Sequence, residues 1–131
     1  MSDYTEFEYI TTDATVETFT SSAPIFDGLL KEVRELSKKK PEATMSAGKV
    51  RLVNRVLTDL LTILKGEPAG KYLDALDDDA LPQMSDAVLT MVQFETALAS
   101  FRARYFKYIY GNHYWITSEQ LAAWKAVDEE E

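Results

Sequence analysis

The sequence predicts an all-α fold: a compact helical bundle of four to five helices, with one long heptad-patterned helix and an extended N-terminal arm or small hairpin. Three observations lead there. A chain of 131 residues with 46% hydrophobic and 27% charged side chains suits a single soluble domain that can bury a core without staples. Apolar residues recur every three or four positions through most of the chain, the period of a helix with one buried face. Met84, Ala87, Met91, Phe94, Leu98, Phe101, Tyr105 and Tyr108 are spaced alternately by three and four, a heptad seam sustained for about three and a half repeats. One domain is therefore expected over 1–131, with an arm over 1–20 and the helical bundle over 22–127.

From the N-terminus, Tyr4 to Thr20 is rich in Thr and aromatic residues, with Phe7 and Tyr9 alternating against Glu6 and Glu8. Such composition suits extended chain. A second extended piece, Ala14 to Phe19, would make a hairpin by turning at Thr12-Asp13; the competing reading is a short helix capped by Thr12. Ser21-Ser22-Ala23-Pro24 supplies a hydroxyl cap and a first-turn proline, and Phe26, Leu29, Leu30, Val33 and Leu36 follow at helical spacing until Lys40-Pro41. Asp27 with Lys31 and Glu35 with Lys39 are acid-before-base pairs suited to this helix.

Ser46 caps the next helix, whose stripe of Val50, Val53, Leu57, Leu60 and Leu64, widened by Val56, Leu61 and Ile63, should make it the most buried. Gly66 and Pro68 end it, and Tyr72 to Leu76 suggest one more short amphipathic turn. The longest helix is predicted from Ser85 to Tyr110, about 38 Å, ending before Gly111. Thr117 and Gln120 form a capping-box pair ahead of a last helix carrying Leu121, Trp124 and Val127. Its acidic end, Asp128 to Glu131, opposes the helix dipole and should fray.

The net charge of −8 hides blocks. Residues 1–30 hold six acids and no base, whereas residues 31–65 hold nine bases against four acids. The bland explanation of Lys38, Lys39 and Lys40 is that they stabilise a helix C-terminus. With Lys49, Arg51 and Arg55 they also form the only basic patch able to overcome the chain's overall repulsion of polyanions. No apolar run approaches a membrane span, and the acidic first twenty residues are opposite in charge to a leader, so a cytoplasmic protein with no membrane role is expected.

Catalytic combinations are scarce. Cysteine is absent and His113 is the only histidine, which excludes disulfides, thiolate metal sites, Cys-His pairs and paired-histidine zinc or di-iron motifs. No glycine-rich phosphate loop occurs. Asp74, Asp77, Asp78 and Asp79 suit a hard cation in residue type but lack the order of a calcium loop, so a solvated turn is the favoured reading. Asp59 and Glu95 lie closest to apolar stripes, and ion pairs with Arg55 and Arg102 explain them more simply than general-base roles. No metal, cofactor or catalytic residue is assigned.

The densest polar-aromatic group is Arg102, Arg104, Lys107, Tyr110, Asn112, His113, Tyr114 and Trp115. Cations interleaved with rings are what single-stranded nucleic acid requires, yet large amphipathic rings serve equally as packing anchors. The leading functional expectation is a small interaction module without catalytic activity, binding a protein partner and most simply a second copy of itself as a homodimer. An overhang of the long helix from Phe101 onward would supply exposed aromatics for that contact. The alternative is nucleic-acid binding through the basic 31–55 region and the Arg102 to Trp115 segment. A hydrolase using His113 with Arg102 or Arg104 ranks last, for want of a nucleophile.

Overall fold

A computed structural model describes residues 7–130. Residues 1–6 of the arm expected over 1–20, and Glu131 at the acidic end, lie outside the described residues. The protein is mostly helical, but the all-α expectation needs correction because a two-stranded antiparallel sheet is present. In chain order the elements are α1 (Asp13–Lys39), α2 (Ala47–Leu64), a 3-10 turn (Pro68–Gly70), α3 (Met84–Tyr105), β1 (Phe106–Ile109), β2 (Asn112–Trp115) and α4 (Ser118–Glu130).

Of the arm expected over 1–20, the described part before Asp13 holds no helix, with Thr12 extended and Thr11 in an isolated parallel bridge to Thr117. From Asp13 the chain is helical, so Ala14 to Phe19 forms no strand, and the Thr12 hydroxyl caps the helix by accepting from the Thr15 N–H. Tertiary burial decides the matter. Phe19 stacks on Phe101 at 5.2 Å between ring centroids and meets Trp115 edge-on at 5.2 Å, and the helical path sets it on the same buried face as Phe26, Leu30 and Val33. Nor does a new helix begin at Ser21 to Pro24. The Ser21 hydroxyl donates back to the Glu17 carbonyl at 2.8 Å, and α1 runs straight through Pro24 for 27 residues, about 40 Å. Pro24 has no N–H, so the Thr20 carbonyl loses its usual helical donor.

The predicted cap of α2 is formed, Lys49 N–H donating to the Ser46 hydroxyl at 3.2 Å. Its stripe Val50, Val53, Leu57, Leu60 and Leu64 is buried. Even so α3 contributes more buried residues than α2, against expectation. The helical turn expected at Tyr72 to Leu76 is absent. The Asn54 amide instead brackets the backbone there, donating to the Leu76 carbonyl and accepting from the Leu76 N–H, each at 2.9 Å.

The long helix predicted to reach Tyr110 stops at Tyr105. Seam positions from Met84 to Tyr105 are buried, whereas Tyr108 lies in β1 and is 65% exposed. The predicted overhang is therefore corrected: Phe101 and Tyr105 are covered, and the exposed aromatics belong to a hairpin. At the chain's end Gln120 N–H donates to the Thr117 hydroxyl at 3.0 Å, and α4 remains helical through Asp128 to Glu130 where fraying was expected. None of its side chains is buried.

Backbone hydrogen bonds fix the helix directions. Met45 N–H donates to Pro82 and Met84 N–H to Ala43, so α3 starts beside the α1–α2 link. At the other end Phe101 meets Phe19 near the start of α1, and the Tyr105 hydroxyl meets Glu67 just past α2. Hence α3 runs antiparallel to α1 and alongside α2. The lysines ending α1 and the hairpin following α3 consequently occupy opposite ends of the molecule. Among the described residues no helix is long and apolar enough to cross a membrane.

Candidate functional site

The hairpin is built from a β-rich segment and a tight turn. Tyr110 and Gly111 have φ of 53° and 79°, the two left-handed positions of a type I′ turn, whose twist matches that of the flanking strands. Glycine adopts this conformation freely; for Tyr110 it costs steric strain. Ile109 pairs with Asn112, Tyr108 with His113, Lys107 with Tyr114 and Phe106 with Trp115. Ile116 N–H donates to the Tyr105 carbonyl at 2.8 Å, extending the ladder to the foot of α3.

Opposed residues share a face, so the hairpin has two distinct sides. One side carries Phe106, Tyr108, His113 and Trp115. Trp115 sits at the base, 6.0 Å from Phe101 and 4.9 Å from Phe106. The His113 ring then stacks on Phe106 at 5.3 Å and meets Tyr108 edge-on at 4.9 Å. Arg102 places its guanidinium 4.5 Å from the Phe106 centroid. The result is a ladder of rings leading from the core to solvent. Beside its base, between α1 and α3, lies an open cavity of about 510 Å³ with Phe19, Ala23, Pro24, Leu98 and Trp115 among its walls and Asp27, Glu95 and Arg102 at its edges.

The other side is partly covered, Ile109 and Tyr114 being half-buried and Lys107 and Asn112 exposed. Trp124 of α4 meets Tyr114 edge-on at 5.1 Å and Tyr110 at 5.7 Å, and Phe7 lies 6.4 Å from the same indole. The arm is fastened by Thr11, whose N–H donates to Ile116 and whose carbonyl accepts from Ser118, both at 2.9 Å. Glu119 accepts from the Asp13 N–H at 3.0 Å, and this backbone bond holds the Glu119 carboxyl below its ordinary range, helped by the Ser118 hydroxyl.

The eight sequence-selected residues separate into different roles. Arg104 lies in a packed cluster: its guanidinium is 3.7 Å from the Tyr9 ring and 3.7 Å from Glu67 Oε1, and its Nε is buried with no hydrogen-bond partner. The Tyr105 hydroxyl donates to Glu67 Oε2 at 2.8 Å. Burial, followed by the neighbouring Glu67 carboxylate, pushes the Tyr105 phenol up to about 12. Lys107 donates to the Ala103 carbonyl at 2.9 Å. Tyr114 and Trp115 are half-buried anchors, while Tyr110, Asn112 and His113 are exposed. Among the described residues the His113 ring makes stacking contacts and no side-chain hydrogen bond with an acid or hydroxyl.

The basic set lies elsewhere. Lys38 and Lys39 end α1, Lys40 caps it, and Lys49, Arg51 and Arg55 are exposed along α2. From Phe19, beside Trp115, to Lys39 is about 30 Å along the helix. The structure does not bring the two halves of the nucleic-acid surface together. Lys38 pairs with Glu35 at 3.1 Å; neither Asp27–Lys31, Glu35–Lys39 nor Arg55–Asp59 comes within ion-pair distance. Glu95 pairs across the helices with Arg34 at 3.2 Å, not with Arg102.

Asp77, Asp78 and Asp79 do cluster, but Asp74 is not among them. Asp77 Oδ1 is engaged by the N–H groups of Ala80 and Asp79 at 2.9 and 2.8 Å, and these bonds hold its carboxyl below the usual range. Sequence reasoning missed Phe106 as a hairpin residue, Glu67 as the partner of Arg104 and Asn54 as a clamp. Alternating rings at Phe106, Tyr108 and Tyr110 are the signal for the first; nothing local marks the other two. Compared with protein-family models, curated proteins and solved structures, the chain matches none of them.

Proposed function

We propose that this chain is a small cytosolic interaction module with no reaction of its own, whose helices form a compact bundle around the α3 seam and whose hairpin end binds a second copy. One observation carries the reading. Of the nine large apolar side chains left exposed among the described residues, five, Tyr9, Ile10, Tyr108, Tyr110 and Val127, belong to the arm, the hairpin and α4, whereas Ile25, Leu52, Tyr72 and Leu89 are scattered over the rest of the fold. Scattered exposed apolar side chains are ordinary, but a concentration beside a ladder of rings is the composition of a protein-binding surface. The test is light scattering across micromolar concentrations. The wild type is expected to approach dimer mass, and Tyr108→Ser with Val127→Ser to shift toward monomer; wild-type monomer at every concentration rejects self-association.

Nucleic-acid binding is the second reading, supported by Arg102 over Phe106 beside the exposed Tyr108 and His113 rings. A strand engaging both this ladder and Lys38 to Lys40 would have to run the length of α1. Titration with a labelled single strand should then show affinity falling steeply with salt and weakened by substitutions at either end. Absence of binding at low salt ends this reading.

A further inference from the structure

The cavity of about 510 Å³ between α1 and α3 has a polar end built around Pro24. A helical carbonyl points along the axis at the N–H four residues on, and position 24 has none, so the Thr20 carbonyl keeps an acceptor turned toward the Pro24 ring. Helical side chains lean toward the N-terminus, which carries the Asp27 carboxylate back over the same turn. Among the described residues Asp27 has no hydrogen bond or ion pair. Thr20, Pro24 and Asp27 all line the cavity. From α3, Phe94 meets Phe26 at 6.3 Å between ring centroids, and the next residue, Glu95, adds a second carboxylate to this end, its Oε1 paired with Arg34 at 3.2 Å. Arg102, the one cation among the lining residues, lies seven residues further along α3, about 10 Å away, and its guanidinium is drawn over the Phe106 ring at the hairpin. Acceptors therefore gather at the Pro24 end, and Phe19, Leu98 and Trp115 form the apolar wall between them and the hairpin.

We infer that this cavity binds a small hydrophobic primary amine, its ammonium seated over Pro24 between the Thr20 carbonyl and the Asp27 carboxylate, its apolar body laid along Phe19, Leu98 and Trp115. Three features select that chemistry. Both groups converging on Pro24 only accept, so the ligand must bring at least two N–H donors, which a primary ammonium has and a quaternary one lacks. The Asp27 charge is uncompensated, so a cationic donor bonds it more strongly than a neutral one. The volume and the mostly apolar walls with a few convergent polar groups are those of a small-molecule site. The same ligand accounts for Pro24: an exposed proline inside a 27-residue helix is costly, and what it uncovers is the acceptor that the ammonium takes. The site is independent of self-association.

The test is titration of the full chain with phenethylammonium, followed by calorimetry and by the indole N–H resonances of its two tryptophans. The Trp115 resonance should move on binding, while that of Trp124, which packs on the other side of the hairpin, stays in place. Hydrocinnamate, a similar ring and chain carrying a carboxylate, should bind at least about tenfold more weakly. Pro24→Ala returns an N–H to the Thr20 carbonyl, and Asp27→Asn removes the charge; each should raise the dissociation constant for phenethylammonium about tenfold. Circular dichroism checks the fold of both, and Asp27→Asn alters only an exposed side chain, so its result stands even where Pro24→Ala folds poorly. A Trp115 resonance unmoved by millimolar phenethylammonium, equal affinity for hydrocinnamate, or wild-type affinity in either folded variant overturns the assignment.

Discussion

Asn54 shows how one side chain can hold a segment with no regular structure. Its amide occupies both backbone groups of Leu76, and truncation leaves a part-buried donor and acceptor unpaired. Asn54→Ala should therefore cost about 1–3 kcal/mol, read as a lower urea midpoint at unchanged slope. Two glycines differ instructively. An added Cβ at Gly70 would run into the Leu64 carbonyl, whereas Gly111 has open space but φ of +79°. Gly70→Ala should be the more damaging, Gly111→Ala costing only about 1–2 kcal/mol of left-handed strain. Tyr105 gives a pH signature. Its phenol is raised to about 12, so the folded state holds the proton after the unfolded chain has begun to release it near 10. The stability from this group is full below pH 10 and is lost as pH rises toward 12. Tyr105→Phe should flatten that part of the alkaline stability profile relative to wild type.

At the scale of elements, Pro24 is the clearest local conflict. It sits inside α1, removes a helical hydrogen bond and is exposed, so Pro24→Ala should raise stability by about 1–3 kcal/mol in denaturant melts. A loss instead would mean that the ring's packing at the α1–α3 cavity outweighs the bond. Legibility varied by element for physical reasons. The α2 cap, the α2 stripe and the α4 cap were readable because each depends on neighbours in sequence. The N-terminal half of α1 was not, because Ser21, Ser22 and Pro24 carry the chemistry of a helix start. The decisive contacts of Phe19 are with Phe101 and Trp115, far along the chain. The hairpin was hidden by two overlapping periods. Tyr105 and Tyr108 continue the three-four spacing of α3, while Phe106, Tyr108 and Tyr110 alternate as in a strand. Cross-strand pairs such as Phe106–Trp115 and Tyr108–His113 win once the tight turn is available.

For the whole molecule, the separation of charge and aromatic surface matters most. Lys38, Lys39 and Lys40 gather where α1 ends, about 30 Å along that helix from Phe19 beside Trp115, and Lys49, Arg51 and Arg55 lie exposed along α2. Of the sequence-selected residues, Arg104 lies in a packed cluster and Tyr114 and Trp115 are half-buried anchors, leaving Arg102, Lys107, Tyr110, Asn112 and His113 exposed beside Tyr108, which the seam spacing assigns to a helix. That arrangement favours a protein surface at the hairpin end over one continuous polyanion track. Its most direct test is sedimentation equilibrium of the wild type from micromolar upward at physiological salt. A reversible monomer–dimer equilibrium that Tyr108→Ser with Val127→Ser weakens is the predicted result; a single monomeric species throughout would contradict the account.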